Sequence, residues 1–237
     1  MAAPTTTELL WGIRQRPKRG PKPSLTLERI VAEAIALADA EGLASLSMAR
    51  LGERLGCAKM ALYRYVPGKA ELTALMLDTA VGAPPDLDAD EPWRGYLSRW
   101  AETLYQRMHT HPWTIELSVG AHVMGPHEMS WVETALHALA DTGLTAAEQF
   151  DTVVLLIGHV RSLVQQIGGG DGADAEGRLQ REMAAVLAAH GRDFPHVVAA
   201  LAAATAGPTG ESGRDNALRF GIDRILDGVA ALVARRK

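Results

Sequence analysis

Leu46-Ser47-Met48-Ala49-Arg50-Leu51-Gly52-Glu53-Arg54-Leu55-Gly56-Cys57-Ala58-Lys59-Met60-Ala61-Leu62-Tyr63-Arg64-Tyr65-Val66-Pro67-Gly68-Lys69 reads as helix, tight turn, helix. Ser47 can accept a hydrogen bond from a free amide at a helix start, and Met48, Leu51 and Leu55 then share one face at helical spacing. Gly56 follows as the residue that turns left-handed without steric cost. A second short helix from about Ala58 puts Leu62 and Val66 inward and leaves Lys59, Tyr63, Arg64 and Tyr65 outward. Gly52 is small where two helices must cross closely. In this arrangement the second helix enters a DNA major groove while the first crosses the backbone.

The flanks extend the pattern. Thr26 is a candidate cap with Glu28 in the first turn, and Leu27, Ile30, Val31, Ala34, Ile35 and Ala38 form an apolar stripe ending at Gly42, which predicts a support helix. After the motif, Lys69 begins a helix with Leu72, Leu75 and Met76 inward, running to about Val81. Gly82-Ala83-Pro84-Pro85-Asp86 then marks a domain boundary. At the other end, Met1 to about Glu8 is small and polar and reads as disordered. Trp11 introduces Arg14, Arg16, Lys18, Arg19 and Lys22, and Pro17, Pro21 and Pro23 exclude a continuous helix there. This basic arm is either a solvated tail or a segment that tracks phosphates or reaches a minor groove beside the motif. The expected organisation is a disordered basic arm over 1–24, a helix-turn-helix DNA-binding domain over 25–82, and a helical domain over 91–237.

The second part opens at Pro92 with a helix bearing Trp93, Leu97, Trp100, Leu104 and Met108, broken by His111-Pro112-Trp113. A short helix to about Val119 and another from Pro126 to Gly143 follow, the latter with proline in its favourable first turn. Thr145-Ala146-Ala147-Glu148 is a capping box, and the helix it starts is apolar nearly all round through Ile167: Val153, Val154, Leu155, Leu156, Ile157, Val160, Leu163, Val164. Such a helix must be covered on every side. Gly168 to Gly172 and the acidic residues after it read as a flexible loop. Helices are expected over 178–190 and 195–204, then a second loop over 206–215. A last helix carries Leu218, Ile222, Ile225, Val229 and Leu232 on one face.

Composition agrees with an all-α chain: aromatics are 5% of 237 residues, and alternating β-branched runs are absent. The formal charge of -4 does not suggest a nucleic-acid binder, but residues 1–78 hold 11 Lys and Arg against 8 Asp and Glu, while the remainder holds 13 against 20. The basic part is the part with the motif. Cys57 is the single cysteine, so no intrachain disulfide forms, and it reads as a small apolar turn residue rather than a redox switch. No apolar run nears the ~20 residues of a membrane span and no signal-peptide core stands at the N-terminus, so a cytoplasmic protein without membrane association is expected.

The whole N-terminal run resembles the DNA-binding domain of the TetR family of bacterial transcriptional regulators. The likeness rests on Ala34-Ile35-Ala36-Leu37-Ala38-Asp39-Ala40-Glu41-Gly42, on Leu51-Gly52-Glu53-Arg54-Leu55-Gly56, and on Ala61 through Leu72. The second part resembles the C-terminal domain of a tetracycline-repressor-like branch through His111-Pro112-Trp113, Phe194-Pro195-His196 and Phe220-Gly221-Ile222-Asp223-Arg224-Ile225-Leu226-Asp227-Gly228. The resemblance implies a homodimer that binds a palindromic double-stranded DNA operator as a repressor and is released by a small molecule. In such proteins the helix corresponding to residues 145–167 and the final helix pair with their symmetry mates as a four-helix bundle. Leu156 and Leu226 are the positions expected inside it.

Residue by residue, the resemblance places Lys59, Met60, Ala61, Arg64 and Tyr65 on the exposed face of the recognition helix. Lys59 and Arg64 can donate to guanine O6 and N7, and Met60 and Ala61 can meet a thymine methyl. Tyr63 and Lys69 look like phosphate contacts, and Ser47, at the start of the first helix, is counted with the DNA-facing set. Tyr65 has a competing position against the support helix. The candidate pocket gathers the bulky and polar groups among the apolar ones of the second domain: Trp100, Leu104, Trp113, Leu117, Trp131, His159 and Gln166. Each can equally be core. His159 is polar within a greasy helix and needs a partner in the core, across a dimer interface or in a ligand.

His109, His111, His122 and His127 lie close in sequence, but no pair has helix-face metal spacing, so no metal or other cofactor is expected. No nucleophile elbow, phosphate-cradling glycine loop or paired metal-ligand motif points to an enzyme. The remaining alternative is a ligand-independent DNA-binding regulator whose second domain serves only dimerisation or a protein partner.

Overall fold

A computed structural model describes residues 4–12, 25–88, 90–168, 172–206 and 213–236. Among these the regular structure is helical, without strands: α1 (Thr6–Leu10), α2 (Leu27–Glu41), α3 (Met48–Leu55), α4 (Lys59–Leu62), α5 (Lys69–Val81), α6 (Trp93–Thr110), α7 (Thr114–Ser118), α8 (Pro126–Leu139), α9 (Ala146–Gly168), α10 (Gly172–His190), α11 (Pro195–Ala206) and α12 (Gly213–Ala234).

Two apolar cores organise the chain. The first joins Ile30, Val31, Ala34 and Leu37 of α2 to Leu51, Leu62, Val66, Leu72 and Met76. The second is built from α6, α8, α9 and α12 around Tyr96, Trp100, Trp131, Leu156, Val160 and Leu226. Burying side chains of this size stabilises by roughly 1.5–3 kcal/mol each before the entropy of ordering them is counted. The two cores meet along α5, the helix that runs up to Gly82. Leu72, Leu75, Met76 and Ala80 face the first core, while Leu77 and Val81 face the second. A single helix is thus common to both.

The N-terminus departs from expectation. Its small polar composition predicts a disordered tail, yet Thr5 and Glu8 form a reciprocal capping box that starts α1. Leu10 of α1 is buried in the first core, and the Trp11 indole N–H donates to the Met124 carbonyl at 3.2 Å. The basic residues between Arg14 and Lys22 lie outside the described residues. Helix α10 begins at Gly172 and α12 at Gly213, earlier than the Gly-rich composition suggests.

Helix α9 carries apolar groups on opposite faces, as its sequence requires, but the phase differs from expectation. Leu156 on α9 and Leu226 on α12 are both fully buried in the protomer's own core, so neither lies on an outer face. The large apolar residues exposed on these helices are Phe150 (52%), Val154 (65%) and Leu155 (56%) on α9 and Phe220 (61%) on α12. Among the described residues no helix is long and apolar enough to cross a membrane.

Candidate nucleic-acid interface and ligand cavity

The α3–α4 unit is built as its sequence implies. The Ser47 hydroxyl accepts the Arg50 N–H at 3.2 Å, capping α3, and Gly56 ends that helix at φ +66°. A Cβ on Gly52 would stand 2.8 Å from the Cys57 carbonyl oxygen, closer than real side chains approach, so α3 and the turn meet only through glycine. Helix α4 spans four residues, and the chain continues through a turn closed by Tyr65 N–H on the Leu62 carbonyl at 2.9 Å.

Charge sorting separates structural cations from available ones. Arg50 pairs with Glu41, and Arg54 pairs with Glu33, tying α3 to α2. Lys59, Arg64 and Lys69 are exposed and have no acidic partner among the described residues. Met60 and Tyr63 are exposed beside them, Ala61 is half-buried, and Leu62 and Val66 are fully buried as expected. The result is an exposed basic face with apolar groups between the charges, which suits phosphates and base edges together.

Tyr65 does not belong to that face. It is half-buried against the first core, and its hydroxyl donates to the Leu25 carbonyl at 2.9 Å, fixing the approach to α2. Its ring is spent on packing, which is the competing position noted for it.

The candidate pocket residues scatter. A cavity of about 190 Å³ opens between α5, α6, α8 and α9, and of the seven expected residues only Leu104 and Trp131 line it. Trp100 stands behind, meeting Trp131 edge to face at 5.2 Å and donating its N–H to the Trp131 carbonyl at 3.0 Å. Trp113 is in the first core, with its indole N–H on Asp39 Oδ1 at 2.7 Å, and Leu117 packs between the cores. The His159 ring lies on Gly221, where any side chain would collide with it, and its Nε2 meets the Leu218 carbonyl at 3.2 Å. His159 therefore fastens α9 to α12 and is not in the cavity. Gln166 is exposed.

The polar groups that do line the cavity are Ser118, His122, Glu128 and Arg161. His122 Nε2 and Glu128 Oε1 are 2.8 Å apart, and Arg161 donates to the Ser118 carbonyl at 2.7 Å. Arg161 left a signal in the sequence, an arginine within an apolar helix. Two residues along a helix is more than half a turn, so His159 and Arg161 could not both face the same cavity.

The four neighbouring histidines part company. His109 stacks on Tyr105, His111 meets Asp39 at 2.8 Å, His122 meets Glu128, and the His127 Nδ1 meets the Asp78 carbonyl at 3.1 Å. Among the described residues no group of three His, Cys, Asp or Glu side chains could hold a metal ion.

Comparison with known proteins bears on both sites. Residues 30–76 match the family model for bacterial regulatory proteins of the tetR family. Residues 84–233 match the tetracyclin repressor-like C-terminal domain. The HTH-type transcriptional repressor DrrR1 of Streptomyces coeruleorubidus is 40% identical over 243 residues, covering 98% of this chain and 87% of that protein. The TetR family protein ActR of Streptomyces coelicolor, in a crystal structure with actinorhodin, superposes with a TM-score of 0.73 at 25% identity, over 89% of this chain and 97% of that one. A single-residue variant of TetR from Acinetobacter baumannii AYE, in complex with minocycline, shares the fold at a TM-score of 0.61 and 19% identity, over 88% of this chain and 98% of its own.

Proposed function

Because the chain belongs to the TetR family of bacterial regulatory proteins, with a tetracyclin repressor-like C-terminal domain, we propose that this transcriptional regulator is a homodimeric repressor released from a palindromic operator by a small molecule. Residues 25–82 read DNA, with Lys59, Met60, Ala61 and Arg64 toward base edges and Ser47, Tyr63 and Lys69 toward phosphates. Residues 91–237 hold the effector and the dimer contact, the latter through the outward faces of α9 and α12.

One observation carries this reading: α5 begins at Lys69 beside the exposed basic face and ends with Leu77 and Val81 in the cavity wall. Its 13 residues make a rod of about 20 Å. A ligand that shifts the cavity end therefore moves the reading head. Two heads on a dimer address half-sites about 34–36 Å apart, so a small change in their separation is enough to lose the operator. The coupling is reciprocal, and operator binding weakens the ligand in the same ratio. The binding of actinorhodin by ActR supports a ligand role for the cavity.

The test is selection of binding sites from a random duplex pool by the full chain at controlled salt. Enrichment of a palindrome supports a dimeric sequence reader and supplies the probe for effector screening. Enrichment of a single half-site, or of no sequence from a folded protein, overturns the reading.

A further inference from the structure

The cavity's charge pattern specifies a class of ligand, an inference that rests on reading the cavity as the effector site. Arg161 is the lone Lys or Arg among the residues lining it, and among the described residues no carboxylate is within ion-pairing distance of its guanidinium. A guanidinium offers five N–H donors in a planar fork. Among the described residues Arg161 donates one hydrogen bond, to the Ser118 carbonyl at 2.7 Å. The acid in the same wall is already engaged: Glu128 Oε1 meets His122 Nε2 at 2.8 Å, and its Oε2 accepts the Gly125 N–H at 3.3 Å. Most of the remaining wall is apolar, including Leu104, Met108, Val132 and Ile157. Trp131 has its indole N–H committed to the Gly82 carbonyl at 2.7 Å, so it presents only ring surface to a ligand.

A cation without a carboxylate partner at the edge of an apolar cavity is best satisfied by an anion that brings its own apolar body. The size is informative as well. A cavity of about 150 Å³ accommodates benzene, and this one is about 190 Å³. One aromatic ring fits inside, and a larger ring system projects through the open mouth. We propose that the cavity selects aromatic acids, the ring lying against Trp131 and the acidic group held by the Arg161 guanidinium.

The experiment titrates the full chain by calorimetry with three probes that share a ring and differ in charge: 2-naphthoate, 2-naphthamide and 2-naphthylmethylamine. Naphthoate is expected to bind at least tenfold more tightly than the amide, with the amine weakest. Arg161→Gln should weaken naphthoate far more than the amide, so that the two bind within about twofold of each other, and the amide binding that remains reports that the cavity is intact. Arg161→Lys, which keeps the charge without the planar fork, should retain part of the preference. Equal binding of acid and amide, or tightest binding of the amine, overturns the acid preference. Val132→Trp, which fills the cavity, separates the two levels. If the probes bind without charge preference and are lost in V132W, the effector site stands and the acid class falls. If no probe binds at millimolar concentration, or binding survives V132W, the cavity reading falls and this inference with it.

Discussion

Asp78, near the end of α5, accepts the backbone N–H of His127 on its Oδ1 at 2.9 Å, and the same oxygen accepts the Glu128 N–H at 3.1 Å. A carboxylate from one helix thus caps the N-terminus of another, α8, where free amides and the helix dipole both favour a negative charge. Among the described residues Asp78 is the one buried residue of charged type, and it holds α5 to a wall of the cavity. Asp78→Ala should lower stability by about 0.5–2 kcal/mol, the usual cost of a lost cap. Gly125→Ala should do comparable damage without touching the carboxylate, because its Cβ would run into Asp78. Urea unfolding checks both, and a variant as stable as the parent would mean the cap is dispensable.

On the DNA side, Arg64→Ala is expected to cost about 1–3 kcal/mol on the selected operator and to relax specificity at one base position. Lys69→Ala should weaken all duplexes alike and reduce the slope of log affinity against log salt by about 1. Arg50→Ala and Arg54→Ala should leave the footprint nearly unchanged, since their charges are paired with Glu41 and Glu33. Binding isotherms at three salt concentrations distinguish the classes. An Arg64 variant that lost affinity uniformly would be a phosphate contact.

The helix-turn-helix is legible in the sequence because its signals are local: a cap at Ser47, a left-handed Gly56, a close approach at Gly52. The cavity is not, because its members are chosen by how four helices rotate against one another. Periodicity marks α9 as apolar on two faces but cannot fix the phase, so the sequence suggests His159 for a place in the cavity wall that Arg161 occupies, and puts Leu156 outside when it is inside. Trp113 misleads for a related reason: an indole in the second part of the chain is drawn across to Asp39 in the first. Helix α1 does leave a local mark, Thr5 three residues before Glu8, but five residues of helix carry too little periodicity to stand out.

Helix α1 is held by Leu10 in the first core and by Trp11 on the Met124 carbonyl, next to the cavity. Leu10→Ala should cost about 2–5 kcal/mol if the site cannot collapse, and Trp11→Phe about 0.5–1.5 kcal/mol through the lost hydrogen bond. Amide hydrogen exchange is the sharper measurement. In the Leu10 variant, protection should fall across residues 6–11 while α6 and α9 keep theirs; unchanged protection would mean that α1 does not depend on this anchor.

At the start of α9, the Thr145 backbone N–H at 2.7 Å and its hydroxyl at 2.8 Å, with Arg236 alongside, hold the Glu148 carboxyl below the usual carboxylate range. A folded-state value below the unfolded one means stability that is present above the unfolded value and lost as pH falls through the folded one. Glu148→Gln should therefore lower the urea midpoint at neutral pH, and the gap to the parent should close as both are acidified. A gap that persists at low pH would assign the effect to packing.

The dimer contact is the last expectation the structure re-aims. Val154 and Leu155 project outward from α9, and Phe220 projects from α12, which packs beside it. Val154→Asp or Leu155→Asp places a charge where the isolated protomer tolerates it, since surface changes of this kind are usually worth within about 0.5 kcal/mol. The same charge buried without a partner between two protomers is costly. Sedimentation should thus show monomers with an unchanged helical circular-dichroism spectrum, and operator affinity should fall with the loss of the second reading head. Leu156→Asp gives the contrasting result: it buries a charge inside the protomer's own core, so the helical signal itself should be lost. If the Val154 and Leu155 variants sediment as intact dimers, the contact lies on another face.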